Sequence, residues 1–162
     1  MSDKAKLLEI QPIVDAAYPL GVAQTAWQSA LAKAPLDPLT NIRHAVIDGG
    51  TAESRTHVAA IPERVKNHVH FEGREDYAVV GGKGRLHWGK VVQNEQGQYS
   101  VPQAETPVVI EAGHIFVIPN GYAHQLERVG NEDLTILFNC PDSHLNNDLD
   151  RVMLPDAPTL KL

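Results

Sequence analysis

The sequence predicts an all-β domain, a sandwich or barrel of short strands, with a short helical extension in front of it. Three observations predict this. From residue 41 onward, short runs of β-branched, aromatic and aliphatic residues recur between turn signals rich in Gly, Pro, Asn and Asp. The first 34 residues instead carry apolar positions at helical spacing. A chain of 162 residues with 43% hydrophobic content has the size and composition of one globular domain.

In the extension, Asp3 caps a first predicted helix carrying Leu7, Leu8 and Ile10, and Pro12 opens a second through Val14 and Ala17. Pro19-Leu20-Gly21 breaks the pattern. Val22, Ala26, Trp27, Ala30 and Leu31 then define a helix ending at Ala32, expected as a cap or arm packed on the main domain. Pro35 and Pro38 mark a linker. The predicted organisation is a helical extension and linker over 1–40, a β-barrel over 41–141 and a C-terminal tail over 142–162. The tail is polar, contains Pro155 and Pro158, and is expected to wrap the surface.

The strands follow in order. Ile42 to Ile47 is the first, with a turn at Asp48-Gly49-Gly50, and Arg55 to Ile61 is the second, closed by Pro62. Val65 to Phe71 and Asp76 to Val80 are expected to pair as a hairpin. Gly81, Gly82 and Gly84 allow a tight turn with positive φ, so GGKG is read as a hairpin turn and not as a phosphate cradle. Arg85 to Val92 comes next, then a loop tip at Asn94 to Gly97. Pro107 to Ile110, His114 to Ile118, Ala123 to Arg128 and Leu134 to Asn139 complete the set.

Composition removes several classes of function. Fourteen basic against twenty acidic residues give a formal charge of −6, and no Lys/Arg cluster offers a track for nucleic acid. No apolar run approaches the ~20 residues a membrane helix needs. Cys140 is the single cysteine, so no internal disulfide is possible; a buried, inert thiol in a reducing compartment is expected. The stretch MSDKAKLLEIQ lacks the apolar core of a signal peptide, and a cytoplasmic location is expected.

The chemistry concentrates in HVHFEGREDYAVVGGKG, residues 68–84. On a strand, His68 and His70 point to the same face. A hairpin would return Glu75 beside them, and His124 is a fourth candidate in GHIFVIPNGYAHQLER. Three neutral imidazoles and a carboxylate suit one borderline divalent cation, with Fe, Mn, Ni and Zn all open.

These residues resemble the two motifs of the cupin superfamily. The first has the form G-x5-H-x-H-x4-E-x6-G, met here by His68, His70, Glu75 and Gly82, with Pro62 in place of the first glycine. The second has the form G-x5-P-x-G-x2-H-x3-N, met by Gly113, Pro119, Gly121 and His124, with Arg128 in place of the asparagine. The resemblance covers roughly residues 41 to 140. It implies a double-stranded β-helix, or jelly-roll barrel, with the metal held in its mouth by His68, His70, Glu75 and His124. It also implies a homodimer. Exposed sheet edges and the apolar residues Trp27 and Leu31 of the extension point the same way. The stretches GGKGRLHW and VIEAGHIFVIPNGYAH are similar to cupin-type phosphoglucose isomerases. IPERVKNHVH lacks that family's Thr/Gly-rich phosphate loop, which argues against a sugar-phosphate substrate.

Parity nominates further site residues. Tyr77 shares a face with Glu75 and is the candidate proton-transfer group. Arg128 shares a face with His124 and is a candidate anion binder. Lys66 and Arg64 share the parity of His68. His57, with His44 on the neighbouring strand, and His87 are candidates for lining the pocket. After the triple glycine the parity is open: either Arg85 and His87 or Leu86 and Trp88 face inward. His114 and His144 are read as non-ligands.

Two functions remain. One is an enzyme acting on a small oxygenated metabolite chelated by the metal, of isomerase or lyase type or, with iron, a dioxygenase. The other is a metal-containing binding or sensor domain without turnover.

Overall fold

The computed structural model describes residues 11–12, 24–38, 41–145 and 150–160. Of the helices expected before residue 23, only Pro12 falls among the described residues, and there it forms a two-residue strand with Gln11 and does not open a helix; the rest lie outside them. In chain order the elements are β1 (Gln11–Pro12), α1 (Gln24–Ala32), β2 (Leu36–Asp37), β3 (Ile42–Thr51), β4 (Ser54–Ile61), β5 (His68–Val69), β6 (Glu75–Gly81) and β7 (Lys83–Lys90). There follow β8 (Val92–Gln93), β9 (Tyr99–Ser100), β10 (Val108–Glu111), β11 (His114–Ile118), β12 (Tyr122–Arg128), β13 (Leu134–Cys140), a 3-10 turn (Asp142–His144) and β14 (Val152–Met153).

Among the described residues, one sheet has the order β1-β11-β6-β13-β4-β3-β2 and the facing sheet the order β10-β7-β12-β5-β14, while β8 and β9 form a separate ribbon. The pairings between these strands are antiparallel. This is the all-β, jelly-roll architecture that the strand spacing predicts. Alternation decides which side chains fill it. On β4, His57, Ala59 and Ile61 face the space between the sheets, while Val58 faces outward. On β6, Glu75, Tyr77 and Val79 face inward and Ala78 outward. On β7, Leu86 and Trp88 face inward, which resolves the parity left open by the glycines.

Two expected turns have a different form. β3 does not stop at Asp48-Gly49-Gly50. It runs on to Thr51 with register shifts after Val46 and Asp48, so the glycines bulge the strand and Ala52-Glu53 makes the turn. The larger correction concerns β5 and β6, which are not a hairpin. β5 pairs with β12 and β14 in one sheet, and β6 pairs with β11 and β13 in the other. Residues 70–74 cross between the sheets. β6 and β7 also lie in opposite sheets, so GGKG is a corner and not a hairpin turn. Gly82 makes the corner at φ 74°, with room for no Cβ: one built there would lie 2.4 Å from the Asp133 carbonyl oxygen.

Helix α1 lies on the outside of the larger sheet. Trp27 is buried against Val58, Ala78 and Leu137, the outward residues of β4, β6 and β13. The helix thus covers an apolar sheet face that would otherwise meet water. Removing the indole leaves a hole there that only the helix itself can close. Trp27→Ala is expected to lower stability by about 3 kcal/mol without altering the interior. Chemical denaturation measures this; an unchanged midpoint would show that the helix does not hold the sheet.

Candidate metal centre

Pairing between strands brings the first two histidines together. His68 on β5 is the register partner of His124 on β12, and their ring centroids are 4.4 Å apart. His70 lies on the same side, 4.9 Å from His68 and 5.5 Å from His124. The ring nitrogens of the three converge within 4.8 Å of one another, and all three residues are buried. Glu75 reaches them from the first residue of β6 in the facing sheet. Its Oε1 is 3.1 Å from His70 Nε2 and its Oε2 3.5 Å from His124 Nε2.

The backbone sets the ring orientations. His68 Nδ1 lies 2.7 Å from the Lys66 carbonyl oxygen, His124 Nδ1 3.1 Å from that of Tyr122, and His70 Nδ1 2.5 Å from that of Asp150. A carbonyl only accepts, so each Nδ1 carries a hydrogen, and Nε2 is the ring nitrogen left for a further partner. The Nε2 atoms of His70 and His124 are buried and make no hydrogen bond. They face the Glu75 carboxylate oxygens at 3.1 and 3.5 Å, an arrangement that a cation between them would complete. Burial, reinforced by the His124 and His70 rings, holds His68 well below the usual histidine range and therefore neutral. The donor set fits a divalent ion of the His-binding, borderline kind.

Glu75 is the most constrained group. Burial alone would raise its pKa, but the His70, His124 and His144 imidazoles outweigh that and hold it well below the usual carboxylate range. The Tyr77 hydroxyl donates to Oε2 in a short hydrogen bond. Tyr77 therefore points into the site, as its parity with Glu75 predicts. Burial first, and then the Glu75 charge, push the phenol well above its ordinary value, so it keeps its proton.

His144 comes from the segment read as a surface tail. It is buried, lies parallel to the His70 ring at 3.9 Å, and its Nδ1 is 2.8 Å from Glu75 Oε1. Its Nε2 is 2.5 Å from the Glu72 carbonyl oxygen. Burial would lower its pKa, but the bond to Glu75 and that carboxylate's charge raise it. The same segment carries Asp150. The Asp150 carboxylate accepts from the backbone N–H groups of Phe71 and Glu72 at 2.8 and 2.7 Å, pinning the crossing between the sheets. Arg151 is buried and lines the same cavity, with Nη1 3.7 Å from Asp37. Neither parity nor motif spacing marks His144, Asp150 or Arg151. The one signal in the sequence is that His144 and Arg151 are basic residues in a segment otherwise without them up to Lys161.

The cavity around these groups has otherwise apolar walls, among them Ile42, Ile61, Val65, Leu126, Ile136, Phe138 and Leu145. Its free space is about 30 Å³, room for about two waters.

Other nominated residues lie elsewhere. Arg128 is at the end of β12, 3.5 Å from Asp133 and outside the cavity. His87 faces away from the interior, held by Glu127 Oε1 and Thr159 Oγ1, each at 2.8 Å. Arg64 pairs with Asp156 at 3.5 Å. Parity fails for Arg64 and Lys66 because residues 62–67 are irregular and Val65 is the one that enters the cavity. His114 accepts a loop hydrogen bond from the Glu111 N–H. Cys140 is buried, and burial pushes its thiol up. His57 faces inward and is 3% exposed, its ring stacked on Phe138 at 4.9 Å.

Residues 42–152 match the polysaccharide biosynthesis C-terminal domain family. The chain belongs to that family. No curated protein matches it in sequence. Solved structures of the same shape include oxalate decarboxylase OxdC of Bacillus subtilis, 18% identical with a TM-score of 0.51, over 77% of this chain and 31% of that one. Work on the same Bacillus subtilis enzyme describes its Mn(II) centres. The oxalate decarboxylase of Lactobacillus farciminis, in a formate complex, is 17% identical with a TM-score of 0.51, over 75% of this chain and 33% of that one. CapF, with the inhibitor 3-isopropenyl-tropolone, is 19% identical with a TM-score of 0.53, over the same shares. The chain spans about a third of the length of each of these structures. At such identity the likeness shows the fold, a cupin-type barrel, and nothing finer. Among the described residues no helix is long and apolar enough to cross a membrane.

His57 supplies a pH test of this interior. Burial lowers its pKa from the ordinary 6.5 to about 4. The unfolded chain therefore takes up this proton first as the pH falls. The contribution to stability is complete above about pH 6.5 and is lost progressively towards pH 4. His57→Phe keeps a ring on Phe138 and removes the titration. Between those pH values the variant should lose less stability than the wild type, by up to about 3 kcal/mol. Urea denaturation at stepped pH measures the difference, and identical slopes would refute it.

Proposed function

We propose that this domain is a mononuclear metal protein, with His68, His70, Glu75 and His124 as the protein ligands, acting as an enzyme on a small oxygenated molecule. The observation that carries this is the convergence of the unpaired Nε2 atoms of His70 and His124 on the Glu75 carboxylate. When bound, a divalent ion supplies Lewis acidity and a two-point anchor for adjacent oxygens on a substrate. Membership of the polysaccharide biosynthesis C-terminal domain family supports a carbohydrate-like substrate and, with it, isomerase or lyase chemistry over oxygenation. The likeness to a structure with a tropolone inhibitor, a molecule with adjacent oxygens, supports chelation.

The chain's own residues then have distinct tasks. The three Nδ1–H donations to backbone carbonyls hold the histidine rings in one orientation. His144 and Tyr77 are positioning residues, each fixing one oxygen of Glu75. The apolar walls keep bulk water from the centre, which strengthens every charge interaction inside. Holding without turnover is the second reading, favoured by how little free space the cavity has. Product formation on screening small hydroxy-carbonyl compounds separates the two.

Metal analysis tests the centre. Purified protein should carry about one ion per chain, with His70→Ala and His124→Ala losing most of it; wild-type content in both variants would end this reading.

Tyr77→Phe tests the assignment of that residue. Loss of the hydroxyl that steadies Glu75 should weaken metal affinity by about 10–100-fold with the fold retained. Unchanged affinity together with a ~10²–10⁴-fold fall in turnover would return Tyr77 to the proton-transfer role.

A further inference from the structure

His68 opens β5, a strand of only two residues, and His70 follows directly after it. A strand so short depends on its neighbours for its place. His68 is the register partner of His124 on β12 and of Met153 on β14. Beyond β14 the chain continues over the outward side of the same sheet, the side to which His87 points. The Leu154 N–H donates to the Asn67 carbonyl oxygen at 2.9 Å, and the Asn67 amide donates back to the Pro155 carbonyl oxygen at 3.0 Å. Gln125, next to His124, is fully buried and its amide is saturated. Its Nε2 donates to the Val65 carbonyl oxygen at 2.9 Å and to Asp156 Oδ1 at 2.8 Å, and its Oε1 accepts from the Ala157 N–H at 2.8 Å. Thr159 Oγ1, 2.8 Å from His87 Nδ1, pins the far end. Asn67 before His68 and Gln125 after His124 therefore both grip residues 154–160.

This strap is built to be separable from the barrel. Pro155 and Pro158 have no N–H, so it cannot join the sheet by a regular ladder, and side chains hold it instead. Of residues 154–160 only Ala157 is buried. The side chains it would leave behind, Asn67, His87 and Gln125, are polar, and water can satisfy them. A segment with so little apolar burial opens locally while the rest of the fold stays closed.

We propose that residues 154–160 are a latch coupled to the metal centre. Docked, the latch holds the backbone beside His68 and His124 in place and tightens metal binding; a bound ion in turn tightens the latch. Coupling of this kind is reciprocal, so the two effects are one factor.

The inference rests on the metal-centre reading, and the test separates the two. Ala157 packs in a small pocket with Trp88, Gly89 and Ala123. Ala157→Arg is too large for it and forces the strap off while changing no residue of the barrel. Zinc affinity of the full-length variant, measured by competition with a chelator, should fall about tenfold or more, with about one ion per chain still bound at saturation. In the wild type, hydrogen exchange at the Leu154 and Ala157 amides should slow on zinc loading by a matching factor. The Gly97 amide, bonded to the Asn94 carbonyl oxygen at 3.0 Å in the turn between β8 and β9, is the control and should not change. Unchanged zinc affinity in Ala157→Arg, or strap amides that exchange equally fast with and without zinc, would overturn the latch. Should the variant not fold, the exchange rates of the wild type decide. Protein that takes up no zinc sinks the metal centre and the latch with it, whereas zinc uptake with unaltered strap exchange sinks the latch alone.

Discussion

A carboxylate charge in a sealed interior is the constraint on which this barrel turns. Glu75 is 3% exposed and ionised. An ion so placed is tolerable only when surrounded by partners. The fold delivers them from every side: His70 and His124 from the opposite sheet, His144 from the turn after β13, and Tyr77 from two residues further along β6. Each partner is anchored in turn, the histidines by backbone carbonyls and the crossing segment by Asp150.

The barrel was legible in the sequence because period-two alternation survives in its long strands. Glu75, Tyr77 and Val79 on β6 face as their parity predicts, and the spacing of His68, His70 and His124 marks three side chains that do meet. What the alternation does not carry is which sheet a strand joins. Val65 to Phe71 and Asp76 to Val80 read as neighbours because they are adjacent in sequence. Yet β5 and β6 enter opposite sheets, so Glu75 meets the histidines across the interior and not along a ladder.

Other residues were illegible for local reasons. Parity has no meaning in the irregular stretch 62–67, which is why Val65 and not Arg64 or Lys66 enters the cavity. The polar composition of residues 142–162 suggests a surface wrap, since a short strand paired to a two-residue partner leaves no periodic trace. His144 and Asp150 are polar because the site they complete is polar. Arg128, at the position where the family pattern has asparagine, turns to Asp133 and solvent, and the buried guanidinium of the cavity is that of Arg151.

The hydrogen bond from His70 to the Asp150 carbonyl oxygen joins residues eighty positions apart. For protein engineering this makes the centre poorly portable. A designer who grafts the two histidine motifs onto another barrel copies His68, His70, Glu75 and His124 but leaves behind the clasp that orients the His70 ring and the imidazole that steadies Glu75. The smallest transferable unit is the whole stretch from His68 to Arg151, nearly the entire barrel. The motif marks where the metal would sit, and the later segment makes it a site.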